Sequence, residues 1–217
     1  MLAGASWSLL GLGWPAAVVG AANGLIGGAR GTYGWAKPTG VLAFTLDSTW
    51  AVPVTAGALV AHLVAWLRPS RGGYVARLSA RANRHVYTGG FRVRRGFVVT
   101  VGNTINNAGA SVRVSPRRQR LITVHEDVHV WQGRWFGPLY PILYFSWTVV
   151  GGLAGALIWV VNRKRGASLF RVAETCGYYL NPFEWWAYSR DGGWPPPAKV
   201  PWVGGSWPLA PPINVRR

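Results

Sequence analysis

The sequence predicts a mainly α-helical membrane protein, on three observations. Half of the residues are hydrophobic and only 13% are charged, about half the charged share of an ordinary soluble domain. Three apolar runs, at residues 7–28, 49–67 and 138–161, approach the length that crosses a bilayer. The 14 tryptophans suit a chain in contact with lipid headgroups, where amphipathic rings settle.

The net charge of +17 sets 23 Lys+Arg against 6 Asp+Glu. Beside apolar spans, such basicity points to a lipid bilayer with anionic headgroups as the partner. Nucleic acid is the weaker reading, because the arginine-rich stretch contains no recognised nucleic-acid motif. The single cysteine, Cys176, excludes an intrachain disulfide and leaves the compartment open.

Residues 1–67 are expected to hold two transmembrane helices. The first, "WSLLGLGWPAAVVGAANGLIGG", lies in a stretch without charge, and the lack of a positive n-region argues for a retained helix rather than a signal peptide. A short connection, 30–49, carries Arg30, Lys37 and Asp47. The second span, "TWAVPVTAGALVAHLVAWL", should kink at Pro53. His62 inside it is expected to be a packed, hydrogen-bonded histidine.

Residues 68–119 form an arginine-rich extramembrane segment. Twelve arginines and no acid fall between Arg68 and Val124, so 68–124 is expected to face the cytoplasm. Within it, "GFVVTVGNTINNAGASVRV" reads as two short strands around an Asn/Gly turn, and "GGFRVRR" offers an edge strand. Ser115-Pro116 has the form of an N-cap followed by proline at the first helical position. The helix it opens runs through His125, Glu126 and His129.

That H-E-x-x-H carries the chemistry. On a helix, His125 and His129 stand one turn apart on one face, where both imidazoles reach one tetrahedral zinc. Glu126 between them is placed to act as a general base rather than a ligand. A third ligand must come from elsewhere. Asp127 points off the shared face and Asp47 precedes the second span, which leaves Glu174, Glu184 and Asp191. For Glu184 there is a competing role: in "NPFE", Asn181 would be an N-cap, Pro182 the first helical residue and Glu184 the reciprocal arm of a capping box. Glu174 would equally serve as an arginine partner. Gln132, one turn past His129, suits either support of the site or simple packing. Trp131, Trp135, Trp185 and Trp186 are expected to be interface anchors. Tyr178 and Tyr188 are open candidates for oxyanion stabilisation.

"HEDVHVWQ" resembles the H-E-x-x-H-x-x-Q helix of zincin-like metallopeptidases of the Glu-zincin type, and "NPFEWWAY" resembles their downstream N-P-x-E-x-x-A helix. A group of small bacterial membrane proteins is more similar still, sharing Gln132, Gly137-Pro138-Leu139-Tyr140, Glu184, Trp186-Ala187 and Gly192-Gly193. The resemblance covers roughly 120–195, a third of the chain, and the metallopeptidase-like region it implies is 120–193. It also implies zinc held by His125, His129 and Glu184 with Glu126 as base, and the bacterial inner membrane as location. Two positions depart from the pattern. Asp127 stands where an uncharged residue is usual, and Val128 replaces a glycine. A carboxylate beside the base raises its pKa unless an arginine such as Arg117, Arg118 or Arg120 neutralises it.

The hydrophobic segment 138–161 sets a topological condition. If it crosses the bilayer fully, Glu184 ends up across the membrane from His125 and cannot bind the same ion, so that without a fold-back the site has no third ligand and the enzyme reading fails. The sequence therefore predicts a re-entrant segment that folds back at Gly151-Gly152. A mixed helix is expected near 167–180. The Pro/Trp-rich tail, 194–217, is expected to be extended and to lie along other membrane-protein subunits. It motivates an alternative function, a non-catalytic structural subunit of a larger membrane complex.

Overall fold

Ser115 does cap the helix that carries the H-E-x-x-H: its Oγ accepts from Arg118 N, and Pro116 takes the first helical position. The computed structural model describes residues 2–67, 73–93, 96–162, 166–196 and 198–204. It is mainly helical with one small sheet, and the chain divides into two units, 1–140 and 141–217.

In the first unit, neither N-terminal apolar run forms the single long helix expected of it. Residues 7–28 are broken between α1 (Leu2–Trp7), a 3₁₀ turn (Ser8–Leu10) and α2 (Gly13–Ala29). Gly11 ends the turn with φ of 69°, a conformation glycine adopts without steric cost. α2 has 17 residues, about 26 Å of helix, somewhat short of a hydrocarbon core of about 30 Å. The connection at 30–49 is itself largely helical, as α3 (Pro38–Ser48). α4 (Val52–Trp66) follows after a bend of 91°. Pro53 does not kink a helix here. It sits in the first turn of α4, where its missing N–H leaves no bond unmade.

The expected hairpin is present. β2 (Val99–Val101) and β3 (Thr104–Asn106) pair antiparallel around Gly102 and Asn103, with Gly102 at φ of 54°, as the first central position of a tight hairpin favours. The third strand is not "GGFRVRR": residues 89–93 contain no strand and 94–95 lie outside the described residues. Instead β1 (His85–Val86), after the short α5 (Ala76–Ser79), pairs parallel with β3, giving the order β1-β3-β2.

The inner face of this sheet meets the site helix. α6 (Pro116–Arg120), a π-helical stretch (Leu121–His125) and α7 (Glu126–Phe136) form one continuous path. Ile122 and Val130 pack with Val75, Val86, Ile105, Ala108 and Val112 into the unit's core. At the C-terminal end of α7, Gly137 takes φ of 51°, and a Cβ there would lie 2.4 Å from the Trp50 indole nitrogen. The turn therefore requires glycine.

In the second unit the expected fold-back at Gly151-Gly152 is absent. α8 (Leu139–Asn162) runs unbroken for 24 residues, and it is the one described helix long and apolar enough by itself to cross a membrane. α3 and α4 pass the same test only as a bent pair. The chain returns farther on, through α9 (Leu169–Glu174) and a second π-helical stretch (Thr175–Tyr179). The glycines permit close packing rather than a break. A Cβ on Gly151 would lie 2.5 Å from Cys176 O, and one on Gly155 2.8 Å from Ala173 Cα. Small residues let two helix backbones approach in this way. The return leg leads to α10 (Pro182–Asp191), and a last helical turn, α11, covers Pro201–Gly204. Residues 163–165 and 205–217, and with them most of the predicted tail, lie outside the described residues.

Candidate metal centre

His125 closes the π-helical stretch and His129 follows one α-turn later, so the extra residue in the helical repeat falls directly before the histidine pair. Such π-bulges are frequent at functional sites because they re-aim side chains without ending the helix. Both imidazoles are buried, with ring centroids 5.1 Å apart.

Gln132 supports the site directly. Its side chain is fully buried, and Oε1 lies 2.8 Å from His129 Nδ1. An amide oxygen only accepts, so this bond places the proton on Nδ1 and makes Nε2 the nitrogen that carries the lone pair. The Tyr140 hydroxyl stands 3.4 Å from the same oxygen.

Glu126 is also buried, and Thr100 Oγ1 on β2 donates to its Oε2 at 2.7 Å. That bond holds the carboxylate on the sheet side of the helix. Asp127 is neutralised by an arginine the sequence did not point to. Its partner is Arg84, next to β1, and not Arg117, Arg118 or Arg120. Arg118 instead donates to the carbonyls of Ala108 and Asn107. Burial pushes its guanidinium down in pKa while the Glu126 charge works against that shift.

In the second unit, Asn181 caps α10 by accepting from Phe183 N, as "NPFE" predicts. The reciprocal arm of the capping box does not form. The N–H of Asn181 goes to Tyr178 O, and Glu184 Oε1 accepts from the Tyr144 hydroxyl at 2.7 Å. Asp191 is used at the end of α10, where its Oδ1 accepts from Gly193 N. Tyr188, one turn beyond Glu184, is held protonated: burial, then the charge of Glu184, raises its pKa.

His125, His129 and Glu184 each offer one ligand atom, and these atoms all lie within 4.8 Å of one another. All three side chains are buried, and this is the one such group of His, Cys, Asp and Glu among the described residues. Two imidazoles and one carboxylate gathered in this way are a donor set that could hold a metal ion. Glu174 and Asp191 are not part of the group.

Of the supporting residues, Tyr140 lay within a quoted motif and Tyr144 follows it by one helical turn. Thr100, Arg84 and Arg134 carry no local signal, because each is joined to its partner by tertiary packing. Trp131 and Trp135 stack on each other, and the Arg134 guanidinium lies 4.8 Å from the Trp131 ring. No protein-family model, curated protein or solved structure matches this chain.

Proposed function

We propose that this chain is a membrane-embedded, zinc-dependent metallopeptidase of the zincin-like kind, hydrolysing a peptide bond close to the membrane surface. The observation that carries the reading is the convergence of His125, His129 and Glu184, with Glu126 adjacent and tied to Thr100. Two histidines and a glutamate are a ligand set of catalytic zinc sites, whose fourth position stays open. Bound there, the ion would supply Lewis acidity, polarising a peptide carbonyl and lowering the proton affinity of water.

The protein's own groups do the rest. His129 is held in the metal-binding tautomer by Gln132. Glu126 accepts a proton from the attacking water and returns it to the leaving amine nitrogen. Arg84 pairs with Asp127, so the neighbouring carboxylate does not burden the base with an uncompensated like charge. Membrane attachment rests on α8, whose outward positions, including Phe145, Val149, Leu153 and Leu157, are exposed. The arginine excess of 68–124 favours a cytoplasmic, inner-membrane orientation for that segment.

The test is metal content of the full-length chain purified in detergent. We expect one zinc per chain in the wild type, and its loss in His129→Ala and in Glu184→Ala. A wild-type protein without stoichiometric metal would overturn the reading. Tightly bound zinc without hydrolysis of any membrane-anchored peptide would instead favour a structural subunit.

A further inference from the structure

Tyr140 and Tyr144 lie one helical turn apart near the start of α8, so both rings rise from the same side of that helix. Each hydroxyl goes to the support of a different candidate ligand. Tyr140 reaches Gln132 Oε1 at 3.4 Å and stands 3.3 Å from His129 Nδ1. Tyr144 donates to Glu184 Oε1 at 2.7 Å. We propose that these two tyrosines are positioning residues for the metal centre, setting the tautomer of His129 and the orientation of the Glu184 carboxylate. The proposal rests on the reading of His125, His129 and Glu184 as metal ligands.

The hydrogen-bond chemistry leaves one consistent arrangement at His129. Gln132 Oε1 has two lone pairs and takes the His129 Nδ1–H at 2.8 Å with one of them. If the Tyr140 hydroxyl donated to Nδ1 instead, that nitrogen would present a lone pair to the Gln132 oxygen at the same distance, a repulsive contact. Tyr140 therefore donates to the second lone pair of Oε1. Its bond fixes the Gln132 amide, and the amide fixes the imidazole.

At Glu184 the clamp has two arms. The Tyr144 hydroxyl donates to Oε1 and so fixes the orientation of the carboxylate. The Tyr144 carbonyl meanwhile accepts from Asn181 Nδ2 at 3.2 Å, and the Tyr144 ring stacks on Phe183 with centroids 6.1 Å apart. Asn181 is the N-cap of α10, so residue 144 grips both the start of the helix that carries Glu184 and the carboxylate itself. Because both tyrosines stand on the membrane-span candidate, ligand geometry is tied to the seating of that helix.

Tyr140→Phe and Tyr144→Phe remove the hydroxyls and keep the rings. Zinc affinity of the full-length variants would be measured by chelator competition, with the visible spectrum of the cobalt-substituted protein and the melting temperature of the metal-free form. We expect each variant to bind zinc about 10–100-fold more weakly and to shift the cobalt bands, with metal-free melting close to wild type. The proposal is overturned if the wild type loses zinc on His129→Ala while both phenylalanine variants keep full affinity and the wild-type cobalt spectrum. A lowered melting temperature with unchanged metal binding also overturns it, since that is a purely structural role. Absence of zinc from the wild type removes the site reading and this proposal together, and is distinct from the other two outcomes.

Discussion

Arg134, five residues beyond His129 on α7, grips Asp47 of α3 with two parallel hydrogen bonds, Nε to Oδ1 at 2.9 Å and Nη2 to Oδ2 at 2.8 Å. Both side chains are almost wholly buried. Tyr33 and Asn103 donate to the same carboxylate, and Asn23 joins the network through Tyr33. Asp47 thus binds the site helix to the N-terminal helices of its unit. A buried bidentate pair is worth little to replace but costly to break.

Arg134→Met should therefore destabilise the first unit by about 3–5 kcal/mol, because it strands a buried carboxylate. Adding Asp47→Asn in the same chain should recover part of that loss. Denaturation midpoints of the two variants check this; equal or greater loss in the double variant would show that the pair is not the origin.

Glu126→Gln should bind zinc as tightly as wild type while peptide hydrolysis falls by about 10²–10⁴-fold, the usual contribution of a general base. The amide keeps the shape of the side chain and can still accept from Thr100, so folding should not change. Metal content and turnover measured on one preparation decide it. Unchanged turnover would remove Glu126 from the mechanism.

The glycines of α8 provide a position-specific comparison. At Gly151 a methyl group meets backbone of the return leg, whereas at Gly152, the next residue, nothing lies within 4 Å. Gly151→Ala should cost about 1–3 kcal/mol, as overpacking does. Gly152→Ala should be neutral or slightly stabilising, since alanine is the better helix former. Melting temperatures in the same detergent compare the two.

Stability should fall on acidification because of His85. Burial, followed by the charges of His62, Arg30 and Arg134, lowers its pKa well below the ordinary 6.5. The unfolded chain then takes up the proton more readily than the folded one. The contribution of His85 is complete above pH 6.5 and is lost progressively below it, at up to about 1.4 kcal/mol per pH unit. Melting curves between about pH 7.5 and about pH 5.5 should show a shallower decline in His85→Asn than in wild type. Parallel declines would assign the effect to other groups.

Local patterns carried much of the site into view. The Ser115-Pro116 start, the turn at Gly102-Asn103 and the Asn181-Pro182 cap were legible because each depends on neighbours within four residues. His125, Glu126 and His129 were legible for the same reason, since helical spacing alone puts the two imidazoles on one face. The glycines of 138–161 misled, because a glycine pair marks either a break or a close approach, and only the partner helix distinguishes them. Pro53 was similar: proline kinks a helix from within and starts one from its first turn.

What the sequence by itself determined was the composition of an apolar, basic chain and the short-range pieces of its candidate site, all set by periodicity and backbone chemistry. The tertiary structure alone decided that α8 continues unbroken and the chain returns along it, that Arg84 answers Asp127, and that Arg134 finds Asp47. Those pairings join residues that are dozens of positions apart. They depend on which buried charge can be satisfied by which packed element, and local sequence carries no record of that choice.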